Sequence, residues 1–196
     1  VLPRIEPAKL AIACDVFNHP NWAYELKYDG FRALTYISKG KAWMVSKKGF
    51  TYKRFDDLCH HVASALKECA DTILDGEIVC LDAQGRPRFY DLMFRRGEPC
   101  LALFDILWKE ARTYANCRCY CGRRCFARLS LPKILTCFTS MILTTVTGLY
   151  DLVCQQDLEG VIMKPKESPY ASNSWLKIRN PDYSQTAKRE EFSNRK

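Results

Sequence analysis

Three runs near the start of the chain, WAYELKY, FRALTYI and KAWMVS, are short, rich in aromatic and β-branched residues, and parted by Asp-Gly and Lys-Gly. Such runs predict three strands. In DDLCHHVASALKEC the period changes. Leu58, Val62, Leu66 and Cys69 recur at helical spacing, which predicts an amphipathic helix. TILDGEIVCLD and CLALFDILW again predict strands, with FYDLMFRR between them as a short helix, and EGVIMKP and SWLKIRN predict two more strands near the C-terminus. The order implies an α+β chain with mainly antiparallel sheets flanked by helices. No strand, Gly-rich loop and helix follow one another, which argues against Rossmann and P-loop folds. The chain shows no internal repeat.

Several of these apolar runs carry charges. In KYDGFR, strand alternation places Lys27 and Asp29 on one face. Gly30 permits a tight turn and close backbone approach to a ligand. Arg32 has the planar fork that holds a phosphate or carboxylate by two hydrogen bonds. Lys27 is either a solvated residue ahead of a hairpin or a buried, reactive amine, made nucleophilic by burial, neighbouring cations or a metal. Further along, Glu77 lies in DGEIV, Phe104 and Asp105 in FDILW, Glu159 and Lys164 in EGVIMK, and Lys177 and Arg179 in WLKIR. Glu and Lys are uncommon in buried strands unless paired. Their recurrence points to charged groups converging on one pocket.

The order KYDGFR, DGEIV, FDILW, EGVIMK, WLKIR resembles the adenylation (nucleotidyltransferase) domain of ATP-dependent DNA ligases, and is most similar to the bacterial type that forms the ligase module of a multifunctional end-joining enzyme. The resemblance covers about residues 3–108 and 149–190, and NPDYSQ after the last motif is familiar from short stand-alone members of the group. It implies an ATP-grasp-like adenylation fold. It also implies that Lys27 attacks the α-phosphate of ATP, forming lysyl–AMP. AMP then passes to the 5′-phosphate of a DNA nick, and the 3′-hydroxyl displaces it, as repair, recombination and replication require. Phe104 is expected to stack on adenine. Glu77 is expected near the ribose and the metal, and Glu159 on Mg²⁺ (or Mn²⁺). Lys177 and Arg179 are expected on the α-phosphate, and Arg32 on the ribose or the nicked strand. Glu25 and Lys164 complete the nucleotide-binding set. Two departures stand out. Lys47 in SKKG occupies the place of the Arg in Ser-Arg-x-Gly and supplies charge without a fork. Arg179 stands where Lys is usual.

The chain has 196 residues, enough for one domain or one and a half with a substantial core. There is no run of eighteen apolar residues and no signal-peptide pattern at the start. Eleven cysteines without a secretory leader suggest reduced thiols in a bacterial cytoplasm rather than a disulfide framework. The net charge of +8 invites a nucleic-acid reading, but its distribution is uneven. Between Lys109 and Val146 stand Lys109, Arg112, Arg118, Arg123, Arg124, Arg128 and Lys133 against Glu110 alone.

That segment departs from the expected charged amphipathic helix and strand. Cys117, Cys119, Cys121, Cys125 and Cys137 do not have the paired spacing of zinc knuckles. Back-translated and shifted two nucleotides forward, the stretch from Tyr114 to Tyr120 yields Leu from Asn116-Cys117 and two consecutive Leu from Cys119-Tyr120-Cys121, whatever codons were used. The expectation is that residues from about 109 to 147 are out of frame between two compensating indels and pack poorly. The nucleotide sequence tests this.

The resemblance also implies a C-terminal OB-fold domain that binds duplex DNA, and about eighteen residues follow Ile178, too few for one. The expected organisation is an adenylation domain over residues 1–190 and a tail over 191–196. The chain is then a fragmentary or impaired ligase, a monomer with weak or undetectable self-adenylation and no independent nick sealing. Two rivals are an RNA ligase or capping-type nucleotidyltransferase, which shares the lysine chemistry, and a cysteine-rich zinc or nucleic-acid-binding module with no enzymatic role.

Overall fold

A computed structural model describes residues 2–67, 70–115, 137–139, 142–143, 145–146, 148–170 and 174–186. Most of the suspected out-of-frame segment, with Cys117, Cys119, Cys121 and Cys125, and the 191–196 tail lie outside the described residues.

The strands are β1 (Leu10–Ile12), β2 (Trp22–Leu26), β3 (Phe31–Ser38), β4 (Lys41–Ser46), β5 (Thr72–Cys80), β6 (Pro99–Lys109), β7 (Arg112–Thr113), β8 (Cys137–Thr139), β9 (Ile142–Leu143), β10 (Gly160–Pro165) and β11 (Trp175–Arg179). The α-helices are α1 (Asp56–Ala65), α2 (Phe89–Met93) and α3 (Leu149–Gln155). One sheet is ordered β1-β11-β10-β2-β9, the other β4-β3-β5-β6-β7 with β8 also on β6. The pairings are antiparallel except β1 on β11 and β8 on β6. The expected strands are present, and α1 ends at Ala65, before Leu66, while Cys69 lies outside the described residues.

The two sheets and two of the helices form four layers. Helix α1 opens with Asp56 and Asp57, whose charges suit a helix N-terminus. Its apolar stripe of Leu58, Val62 and Leu66 packs on the outer face of the second sheet, against Ala33, Ile37, Met44 and Leu74. The alternate residues of the same strands, Leu34, Tyr36, Ile73 and Leu107, turn inward and meet Tyr170 and Trp175 beside the first sheet. The far face of the first sheet, with Tyr24, Val161 and Met163, is covered by Leu149 and Val153 of α3. Strand β3 is therefore buried on both faces, which is why FRALTYI reads as nearly continuous apolar sequence.

The two expected turns differ. Lys39 and Gly40 both take positive φ, 52° and 71°, and join β3 to β4 as a tight hairpin. Asp29-Gly30 is not a hairpin, because β2 belongs to the first sheet and β3 to the second. The dipeptide carries the chain from one layer to the other. A Cβ at Gly30 would lie 2.1 Å from the carbonyl oxygen of Ile78, so the close approach there is to the backbone of β5. Gly30→Ala is therefore expected to destabilise well beyond the roughly 1 kcal/mol typical of a point substitution. Gly85→Ala, where the added carbon meets nothing within 4 Å, is expected to show only the strain of its positive φ of 78°. Urea unfolding of the two variants tests the contrast.

Candidate active site

Among the described residues, the layer between the sheets holds three ion pairs, each spanning neighbouring strands. Lys27 follows β2, and its backbone N–H donates to the carbonyl of Gly160 at 2.9 Å. This sets its side chain beside Glu159, just before β10, with Nζ 2.5 Å from Oε2. Glu25 of β2 and Lys164 of β10 form a second pair at 2.7 Å, both almost wholly buried. Arg32 of β3 donates through Nε and Nη2 to the two oxygens of Asp75 on β5, at 2.6 and 2.5 Å. The Tyr170 hydroxyl donates to the same carboxylate at 2.6 Å.

Glu25, Lys27, Arg32, Glu77, Phe104 and Lys164 line one small cavity of about 70 Å³, together with Tyr28, Ile162 and Trp175. Phe104 reaches it through a bulge. Asp75 faces Asp105 while the next residue, Gly76, faces Leu103, so Phe104 is the extra residue of β6. Bulges redirect side chains in this way. The Arg32 guanidinium carbon lies 4.8 Å and Lys164 Nζ 4.9 Å from the Phe104 ring centre. Lys164 Nζ also lies 3.7 Å from the Trp175 ring. These cation–π contacts help hold charge in an apolar layer.

Burial sets the electrostatics. Desolvation pushes the Glu77 carboxyl up to about 8, with Glu159 and Asp75 adding to the rise and Arg32 and Lys27 opposing it. Desolvation works against the charge on Arg32, but Asp75 more than offsets it and raises its pKa. Desolvation raises Tyr170, and Asp75 adds to this. Desolvation lowers Lys177, as do the positive charges of Arg179, Lys27 and Lys47. Lys177 and the largely exposed Arg179 thus stand at the side of the cleft occupied by Lys27. Arg179 Nε is 3.9 Å from Glu159 Oε1.

Six of the nine site residues expected from the sequence line the cavity, and Glu159, Lys177 and Arg179 lie at its Lys27 side, whereas Asp29 and Asp105, also expected among the converging charges, do not line it. Their partnerships were not all foreseen. Arg32, expected on a ribose or a strand, has its fork committed to Asp75. Asp75, Tyr170 and Trp175 were missed, although Asp75 sits in an apolar strand two residues before Glu77 and was as anomalous. Asp29 is buried and accepts from the Tyr183 hydroxyl at 3.0 Å. Two residues on, the Gln185 side chain accepts from Phe89 N–H and donates to the Pro87 carbonyl, both at 2.9 Å. The NPDYSQ stretch thus straps the Lys27 loop to the start of α2.

The profile of the ATP dependent DNA ligase domain family matches residues 6–179. The chain belongs to this family. It is 31% identical over 173 residues to the multifunctional non-homologous end joining protein LigD of Pseudomonas aeruginosa, covering 81% of this chain and 20% of that protein. It is 27% identical over 201 residues to the SPbeta prophage-derived DNA ligase-like protein LigB of Bacillus subtilis, covering 92% and 69%. The ligase domain of Mycobacterium tuberculosis LigD shares the fold, with a TM-score of 0.75 at 22% identity over 88% of this chain and 59% of that one. The α+β nucleotidyltransferase architecture expected from the motifs is the one observed.

Because Glu77 holds its proton more tightly when folded, it favours the folded state most at acid pH, and that contribution is lost as pH rises toward about 8. Glu77→Gln, which mimics the protonated carboxyl, is expected to gain in melting temperature over the parent chain between about pH 5 and pH 8 and then level off. Equal differences at the two ends of that range contradict the desolvated carboxyl.

Proposed function

We propose that this chain performs the adenylation chemistry of an ATP-dependent DNA ligase, with Lys27 as the nucleophile. What supports the reading most is the convergence of Lys27, Glu25, Arg32, Glu77, Phe104 and Lys164, drawn from four separated segments, on a single cavity. Lys27, as the free amine, attacks the α-phosphorus of ATP. Its nitrogen–phosphorus bond forms as the bond to the pyrophosphate oxygen breaks. Such in-line displacements depend chiefly on positioning and charge neutralisation. Lys177 and Arg179 supply positive charge for the phosphates, and Phe104 and Trp175 supply aromatic surface for the base. AMP is then carried to the 5′-phosphate of nicked double-stranded DNA, and the 3′-hydroxyl seals the strand in a repair reaction. The reading includes a monomer acting in the bacterial cytoplasm.

The site has to change shape to work. About 70 Å³ is far below the roughly 300–1,000 Å³ of ligand pockets, so nucleotide entry must part the side chains that fill the cleft. Lys27 must also leave Glu159 before its amine can attack. The carboxylates fit a divalent cation. Among the described residues no three metal-ligating side chains cluster, but Mg²⁺ commonly takes one or two carboxylates and completes its shell with substrate phosphates and water. Glu159 and Glu77 are close enough for the charge of one to raise the pKa of the other. They would hold Mg²⁺ or Mn²⁺, which supplies charge neutralisation at the phosphates when bound.

Incubation with α-labelled ATP is expected to leave AMP on the chain, stable to alkali and released by acid as a lysine phosphoramidate is, and none on Lys27→Ala. Label retained by the variant rules out Lys27 as the nucleophile.

A further inference from the structure

Beside the nucleotide cleft lies a larger groove of about 970 Å³, between the N-terminal segment and the β3–β4 hairpin. Its walls carry Arg4, Lys9, Lys39, Lys41, Lys47 and Lys48, all exposed, against Glu6 and Asp71. Asp71 already accepts a hydrogen bond from the Ser38 hydroxyl at 2.5 Å. Among the described residues, no ion pair engages Lys39, Lys41, Lys47 or Lys48. A wall of like charges repels itself and is stabilised by a polyanion.

The groove also has an aromatic step. Trp43 stacks on Tyr36 with ring centres 5.4 Å apart and planes 14° from parallel. Tyr36 is buried beneath, and its hydroxyl lies 3.5 Å from the backbone nitrogen of Ile5, which donates to it. Trp43 remains 36% exposed, a large aromatic surface offered to the groove. The stack can take a third ring. Basic grooves with aromatic platforms are the means by which proteins hold single strands, the phosphates held by charge and a base by stacking. In a duplex the base faces are already stacked on each other, so the platform favours an unpaired strand.

The groove also communicates with the cleft. The charge of Lys47 acts on Lys177, and Lys177 in turn feels Lys27. Lys47 of the groove wall and Lys27 of the cleft thus both act on Lys177.

We propose that the groove between the N-terminal segment and the β3–β4 hairpin binds single-stranded DNA, with an unpaired base stacked on Trp43 and the phosphates along Lys39, Lys41, Lys47 and Lys48. The direction of the strand, its end toward Lys27, rests on the ligase reading above. Binding itself does not, and is measured without nucleotide.

The test is fluorescence anisotropy of the whole chain with a labelled twelve-nucleotide oligothymidylate, over a range of salt. Trp43→Leu is expected to weaken binding roughly 5- to 100-fold, whereas Trp43→Phe, which keeps an aromatic face, retains most of it. Lys39→Gln with Lys41→Gln is expected to lower the slope of log affinity against log salt by about 1.4. Lys53→Gln with Lys67→Gln, the same charge loss outside the groove, leaves that slope near its parent value. Cations between Lys109 and Val146 give every variant the same background. Circular dichroism melts establish that each variant is folded. The proposal is overturned if the parent chain does not bind the oligonucleotide, or if Trp43→Leu binds as tightly as the parent. It is also overturned if the Lys53 and Lys67 substitutions lower the slope equally, which makes the effect one of net charge. A blunt duplex that binds more tightly than the single strand, with Trp43→Leu unaffected, assigns the groove to duplex DNA instead.

Discussion

Burying charge between two sheets is the constraint from which most of this structure follows. An ion leaves water at a cost of several kcal/mol, and only a well-placed partner offsets it. Each of the three pairs meets the requirement in the same way, by joining neighbours in a sheet. Glu25 and Lys164 are diagonal across the β2–β10 ladder, where Ala23 faces Lys164 and Glu25 faces Ile162. Arg32 and Asp75 are diagonal across β3 and β5, where Arg32 faces Glu77 and Leu34 faces Asp75. Lys27 and Glu159 extend the β2–β10 pairing by one step. Strand register and charge pairing are thus one constraint. A one-residue slip of β10 would turn Lys164 away from Glu25 and toward the apolar layer of α3.

Stability alone does not account for these pairs. Hydrophobic residues of similar volume are often as stable as a buried ion pair, while losing a single partner costs about 3–5 kcal/mol. A protein selected only for folding has little reason to place six charges in one layer. The cation–π contacts of Arg32 and Lys164 make the same point. Phe104 and Trp175 stand beside cations where packing alone would have set aliphatic chains, and an enclosed aromatic surface ringed by charge suits a nucleotide.

Much of this was legible because anomalies stand out against a pattern. A Glu inside DGEIV or a Lys inside GVIMK contradicts a buried strand, and that contradiction located Glu77, Glu159 and Lys164. The method fails where residues are locally ordinary. Asp29-Gly30 has the signature of a hairpin turn, and only the separation of β2 and β3 into different sheets shows it as the passage between layers. Tyr183 and Gln185 stand in NPDYSQ, which resemblance marked without showing what either side chain does. Their roles come from contacts with Asp29 and with Phe89 and Pro87, more than ninety residues away in sequence. The bulge that aims Phe104 is likewise a property of paired register, invisible in one strand.

The strap and the Gly30 passage act on the same short loop from opposite sides. Lys27 is tied to the first sheet by its backbone bond to Gly160 and by Glu159. Three residues later the chain presses against β5 at Ile78, and Asp29 between them is held by Tyr183. The backbone around Lys27 is therefore fixed at three points within four residues, while the Lys27 side chain remains 19% exposed in the cleft. The proposed exchange of Glu159 for a phosphorus atom calls for this division. A rigid backbone keeps the reach of the amine constant, and a long, partly solvated side chain lets the head group change partner without moving either sheet.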